Sequence, residues 1–110
     1  MIYLACPYSH RDPAVREARF HAANRLAARL MEGGHVVFSP LSMSHPIEGH
    51  MSEIHDTDWW MRIGLAFMEN CASCVVVAVD GWETSKGVAI EIAWFKARGL
   101  PVSFMSALPQ

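Results

Sequence analysis

Cys74-Val75-Val76-Val77-Ala78-Val79 is an unbroken apolar run, and Asp80-Gly81-Trp82-Glu83-Thr84-Ser85-Lys86-Gly87 follows it directly. Apolar residues without polar alternation mark a strand covered on both faces, as in a parallel sheet flanked by helices. Ser85 is a favoured helix N-cap, and the residues after it predict a helix over 86–98 that Gly99 stops. The segment therefore reads as strand 74–79, loop 80–84 and helix, which is half of a β-α-β unit.

The same alternation extends in both directions. Residues 101–105 (Pro-Val-Ser-Phe-Met) form a last short strand. Upstream, a helix is predicted over about 56–71 through Trp59, Trp60, Ile63, Phe67 and Met68. Residues 35–39 (His-Val-Val-Phe-Ser) form a strand closed by Pro40, and residues 2–6 form the first strand, ended by Pro7. Between these two strands, Asp12-Pro13 supplies an N-cap and a proline at the first helical position. Val15, Ala18, Ala22, Leu26 and Leu30 keep helical spacing until Gly33-Gly34, giving a helix over 13–32. Residues 40–52 show no clean period and are rich in Ser, Pro, Gly and His, so they read as a long loop, for instance a lid. Four strands and three helices in this order imply one Rossmann-like (flavodoxin-like) α/β domain over residues 1–110. Its open parallel sheet carries helices on both faces.

The composition narrows the function. A chain of 110 residues with 52% hydrophobic content fits one core, and a net charge of −2 argues against binding a nucleic-acid polymer. No apolar run approaches the ~20 residues of a membrane span, and the N-terminus lacks the basic start of a signal peptide. The odd count of three cysteines, Cys6, Cys71 and Cys74, suits a reducing compartment, so the expected location is the cytoplasm. Cys71-x-x-Cys74 runs from a helix end into a strand, the reverse of the usual redox arrangement. A zinc site would need two further ligands, so core cysteines are the expectation.

In an open parallel sheet, ligands bind beyond the carboxyl ends of the strands, where strand order switches. The loops there are Pro7–Arg11, 40–52 and 80–85. Ser85-Lys86-Gly87 opens a helix, where free N–H groups and the dipole accept an anion and Gly87 admits a close approach; an ordinary Ser N-cap is the plainer reading. Neither G-x-G-x-x-G nor G-x-x-x-x-G-K-[ST] is present, and no dinucleotide or other cofactor is expected. Glu91, in the same helix, lies either half-buried near the ligand or on a narrow solvated strip. Arg11 is placed to pair with a phosphate or carboxylate. His45, Glu48, His50, Glu53, His55, Asp56 and Asp58 lack a metal-binding spacing, so no metal is expected. Trp59 and Trp60 read as core, dimer contacts or an aromatic wall for a base.

Three segments together carry a resemblance: Ile2-Tyr3-Leu4-Ala5-Cys6-Pro7-Tyr8-Ser9, Val37-Phe38-Ser39-Pro40-Leu41, and Gly81-Trp82-Glu83-Thr84-Ser85-Lys86-Gly87-Val88-Ala89-Ile90-Glu91. In order and spacing the chain resembles the nucleoside 2-deoxyribosyltransferase-like superfamily, and within it the DUF1937 branch. The resemblance implies N-glycosidic chemistry on a nucleoside 5′-monophosphate, by hydrolysis or transfer. Glu91 would be the nucleophile and Tyr3 the group that orients it. Ser85 and Gly87 would seat the phosphate, with Pro7, Tyr8, Arg11 and Ser39 lining the substrate pocket. The family's glycine-rich first loop is here Cys6-Pro7-Tyr8. The family aspartate that handles the leaving base falls near Leu65, which transfers no proton, so Asp58 is the replacement to consider. The resemblance also makes a homodimer an expectation, since larger relatives continue past the last strand and complete a neighbour's site. A non-catalytic nucleotide-sensing module is the rival reading.

Overall fold

The computed structural model describes residues 1–107. Asp12 starts the longest helix as expected: its side chain accepts from the Ala14 N–H at 2.9 Å, and Pro13 occupies the first turn. The elements are β1 (Ile2–Ala5), α1 (Pro13–Glu32), β2 (Val37–Phe38), α2 (Pro40–Glu48), α3 (Thr57–Met68), β3 (Ser73–Val77), α4 (Lys86–Ala97) and β4 (Val102–Met105). A short 3₁₀ turn at Trp82–Thr84 leads into α4.

All strand pairs are parallel and the strand order is β2-β1-β3-β4. The chain winds outward from β1 to β2 on one side and from β3 to β4 on the other. The switch in order therefore falls between β1 and β3. β1 shows how both faces are filled. Tyr3 and Ala5 join Met68, Val76, Val88 and Phe95 under α3 and α4, whereas Leu4 joins Leu26, Leu30, Val75 and Val77 under α1. This two-sided burial explains why the 74–79 run lacks polar alternation.

One expected loop is a helix. Residues 40–48 of the 40–52 segment form α2, so the sheet carries four helices and not three. Ser39 adopts the extended conformation of an N-cap, and Pro40, with φ already fixed, begins the helix. Pro46 removes the backbone donor that would have met the Ser42 carbonyl, and the helix ends two residues later. The Ser, His and Pro content hid a helix held by its termini and by α1. No helix among the described residues is long and apolar enough to cross a membrane.

Cys71 and Cys74 are buried free thiols within the apolar cluster of α3 and α4, as expected of core cysteines. Burial pushes the Cys74 thiol up to about 12, which leaves it protonated and unreactive at neutral pH.

Candidate functional site

A cleft of about 990 Å³ opens beyond β1 and β2, roofed by α2, the start of α3 and the start of α4. Its floor is a pair of polar side chains in an apolar setting. Tyr3, on β1, is 1% exposed, and Glu91, on α4, is 6% exposed. The Tyr3 hydroxyl donates to the Glu91 carboxylate. Burial pushes Glu91 up from 4.5 to about 7, while the bond from Tyr3 pulls the other way. Burial and the adjacent Glu91 charge hold Tyr3 far above the usual phenol range, so it stays a donor. A carboxylate stripped of water and held by one donor is poised to react with an electrophile or to exchange a proton near neutrality.

Space for this pair comes from α3. A Cβ on Gly64 would lie 3.0 Å from the Tyr3 hydroxyl oxygen, a tight spacing that would oblige the hydroxyl to shift by a few tenths of an ångström. A glycine inside a helix costs about 1 kcal/mol, and here it clears room for a polar atom.

The rim of the cleft includes the first turn of α4. Ser85 accepts from the Val88 N–H at 3.3 Å, so it is the N-cap in fact, and it also faces the cleft. Lys86 follows it and pairs with Asp58 at 3.3 Å, both side chains being well exposed. A Cβ on Gly87 would meet Thr57 at 3.6 Å and Met61 at 4.0 Å, ordinary contact distances. This glycine therefore borders both the cleft and α3.

A family model described as a domain of unknown function, DUF1937, matches residues 1–107. The chain belongs to the DUF1937 family. No match was found among curated proteins.

Within this DUF1937 domain, Tyr3, Tyr8, Ser85, Gly87 and Glu91 come together around the cleft. The other candidates lie elsewhere. Pro7 is fully buried and braces the loop after β1. Ser39 is buried, and its hydroxyl bonds Ser42 at 2.6 Å, which in turn donates to Asn24. That chain ties α2 to α1 and commits the serine to structure. Arg11 is exposed and does not line the cleft. Asp58 is 71% exposed beside Lys86 and is likewise absent from the lining, so Glu91 and Asp58 do not converge there.

Two features escape a sequence reading. One is Arg19 on α1, whose guanidinium donates to the Tyr8, Ser9 and Asp80 carbonyls at 3.4, 3.1 and 3.1 Å. It ties the loop after β1 to the loop after β3 across the switch point. Gly81 has φ +92°, which favours glycine, and a Cβ there would sit 2.5 Å from the Arg19 Nη2 atom and push the guanidinium aside. Arg19→Ala should lower stability by about 1–2 kcal/mol, seen as a fall of several degrees in Tm. Arg19→Lys should recover little, because a single ammonium cannot span both loops. A Lys variant as stable as the natural chain would refute this bridging role.

The other is a polar chain across the cleft mouth. Tyr8 Oη lies 2.6 Å from His45 Nδ1 and 3.1 Å from Glu48 Oε2, and His45 Nε2 lies 2.8 Å from Glu17 Oε2. Tyr8 and His45 are 37 positions apart, and only the α2 helix brings them together.

Proposed function

We propose that this domain cleaves the N-glycosidic bond of a nucleoside 5′-monophosphate, in the manner of the nucleoside 2-deoxyribosyltransferase-like superfamily that its motifs resemble. The observation that carries this reading is the buried Tyr3–Glu91 pair on the floor of a cleft beside β1 and the start of α4. A glutamate so placed attacks the anomeric carbon. The carbon–nitrogen bond breaks, the electron pair leaves with the base, and a glycosyl ester remains on Glu91. Water then releases the sugar phosphate and restores the carboxylate; a second base in place of water would make the reaction a transfer. The first turn of α4 gives the 5′-phosphate a seat, with open N–H groups, the positive dipole end and the Lys86 ammonium close by. Ionised Glu91 is required, so the rate should rise with pH through about 7.

The test is base release from a panel of ribo- and deoxyribonucleoside 5′-monophosphates, run beside the matching nucleosides. The expected result is release from at least one monophosphate, with KM raised about tenfold or more when the phosphate is missing. No release from any member refutes the enzyme. The exposed position of Asp58 favours the second reading, a nucleotide-sensing module that binds without turnover. Saturable binding of a monophosphate with no release would select it.

A further inference from the structure

We propose that the Tyr8–His45–Glu17 chain supplies the proton that the departing base takes up, Tyr8 being the catalytic acid and His45 and Glu17 the positioning residues behind it. The inference rests on the glycosidase reading above and fills its missing part. A base leaving as an anion is a poor leaving group, and Asp58 does not line the cleft. Other groups there make contacts of their own. Tyr3 donates to Glu91, Asp56 accepts from the Trp59 N–H at 2.9 Å, His10 accepts from the Asp12 N–H at 3.0 Å, and His55 stacks on Trp59. Tyr8 is the hydroxyl in the cleft that is joined to an imidazole and, through it, to a carboxylate.

The hydrogen-bond roles in the chain follow from its chemistry. The Glu17 carboxylate only accepts, so His45 Nε2 carries a proton. His45 Nδ1 then has two states. It accepts from Tyr8 when the ring is neutral. When the ring is an imidazolium it donates to Tyr8, whose own proton turns to Glu48. One proton can thus pass between Nδ1 and Oη over 2.6 Å with little movement of heavy atoms. Alone, Tyr8 is a feeble acid: burial and the Glu48 charge push it up to about 12. With a proton following from Nδ1, no phenolate has to form.

In the first half-reaction Glu91 Oε bonds the anomeric carbon as the carbon–nitrogen bond breaks. The base nitrogen takes the Tyr8 proton, and Tyr8 takes the Nδ1 proton, leaving His45 neutral. In the second half-reaction the water oxygen bonds the anomeric carbon and the ester bond to Glu91 breaks. The water's proton passes through Tyr8 to Nδ1 and restores the imidazolium. The charged and titratable groups facing the pair are Glu17, His21 and Arg16 on α1, His10 in the loop after β1, and Glu48 on α2.

The experiment compares two leaving groups on the natural chain, Tyr8→Phe and His45→Gln. One substrate is the monophosphate that releases its base; the other is the 4-nitrophenyl glycoside of the same sugar 5-phosphate, whose nitrophenolate departs without a proton. Tyr8→Phe should slow base release about 100-fold or more and leave the first-turnover burst of nitrophenolate, which reports the first half-reaction alone, within about threefold. His45→Gln keeps a donor toward Tyr8 but has no proton to give. It should show the same selectivity. The nitrophenolate burst also reports that each variant is folded. Equal losses on both substrates would overturn the inference and make the chain a structural latch, and unchanged base release would also overturn it. If the natural chain released neither group, the glycosidase reading itself would fail, and this inference with it.

Discussion

Glu91→Gln should abolish base release, by about 10³-fold or more in kcat, and should make the protein more stable at pH 8. The two effects have one cause. Glu91 is 6% exposed, and burial raises its carboxyl from 4.5 to about 7. A folded-state value above the unfolded one means that the folded chain binds its proton more tightly. Below about 4.5 the carboxyl is neutral in both states and costs nothing. Between 4.5 and about 7 the unfolded chain ionises first, and stability falls as pH rises. Above about 7 the full cost is present; at about 1.4 kcal/mol per pH unit it amounts to about 3 kcal/mol. Glutamine has nearly the same shape, still accepts from Tyr3 and never ionises. Urea denaturation at pH 8 should therefore favour the variant, with an advantage largely gone by pH 5. A variant no more stable than the natural chain at pH 8 would show that Glu91 is not held against an ionisation cost. Retained base release would show that it is not the nucleophile.

How much of this was legible beforehand depended on the range over which each signal acts. Helix α1 was readable because its cap, proline and apolar spacing are local, and β3 was readable because burial on both faces leaves a contiguous apolar run. Helix α2 was hidden because two prolines and several hydroxyl and imidazole groups dilute any period over only nine residues. Glu91 was ambiguous for a related reason. Most glutamates are solvated, and only the meeting of α4 with Tyr3 on another strand decides that this one is buried. Asp58 sits two turns before Leu65 on α3, and position along a helix does not say which face looks into the cleft. Gly64 was the overlooked local signal, since a glycine within a helix usually answers to something packed beside it. Arg19 on a helix surface and the Tyr8–His45 contact left no local trace at all.

Tyr3→Phe should shift the pH dependence of the reaction rather than remove the protein's fold. The Tyr3 ring packs between Phe38 and Phe95, with centroids 6.0 and 5.9 Å away, and phenylalanine keeps those contacts. What goes is the hydroxyl that donates to Glu91 and holds its carboxyl below the value burial alone would set. Without that bond the carboxylate is costlier still, so the rise of rate with pH should move upward by about one pH unit or more. At pH 6 the variant should be slower by about 100-fold, from scarcer carboxylate and poorer aim together, and part of the loss should return by pH 9. Gly64→Ala presses a methyl toward the same hydroxyl and should push the profile in the same direction, although Tyr3 itself is intact. Agreement between the two variants would locate the effect in the hydrogen bond, since one deletes the oxygen and the other displaces it. A uniform loss at every pH would instead mean that Tyr3 supports the cleft only by packing, and that Glu91 is tuned by burial alone.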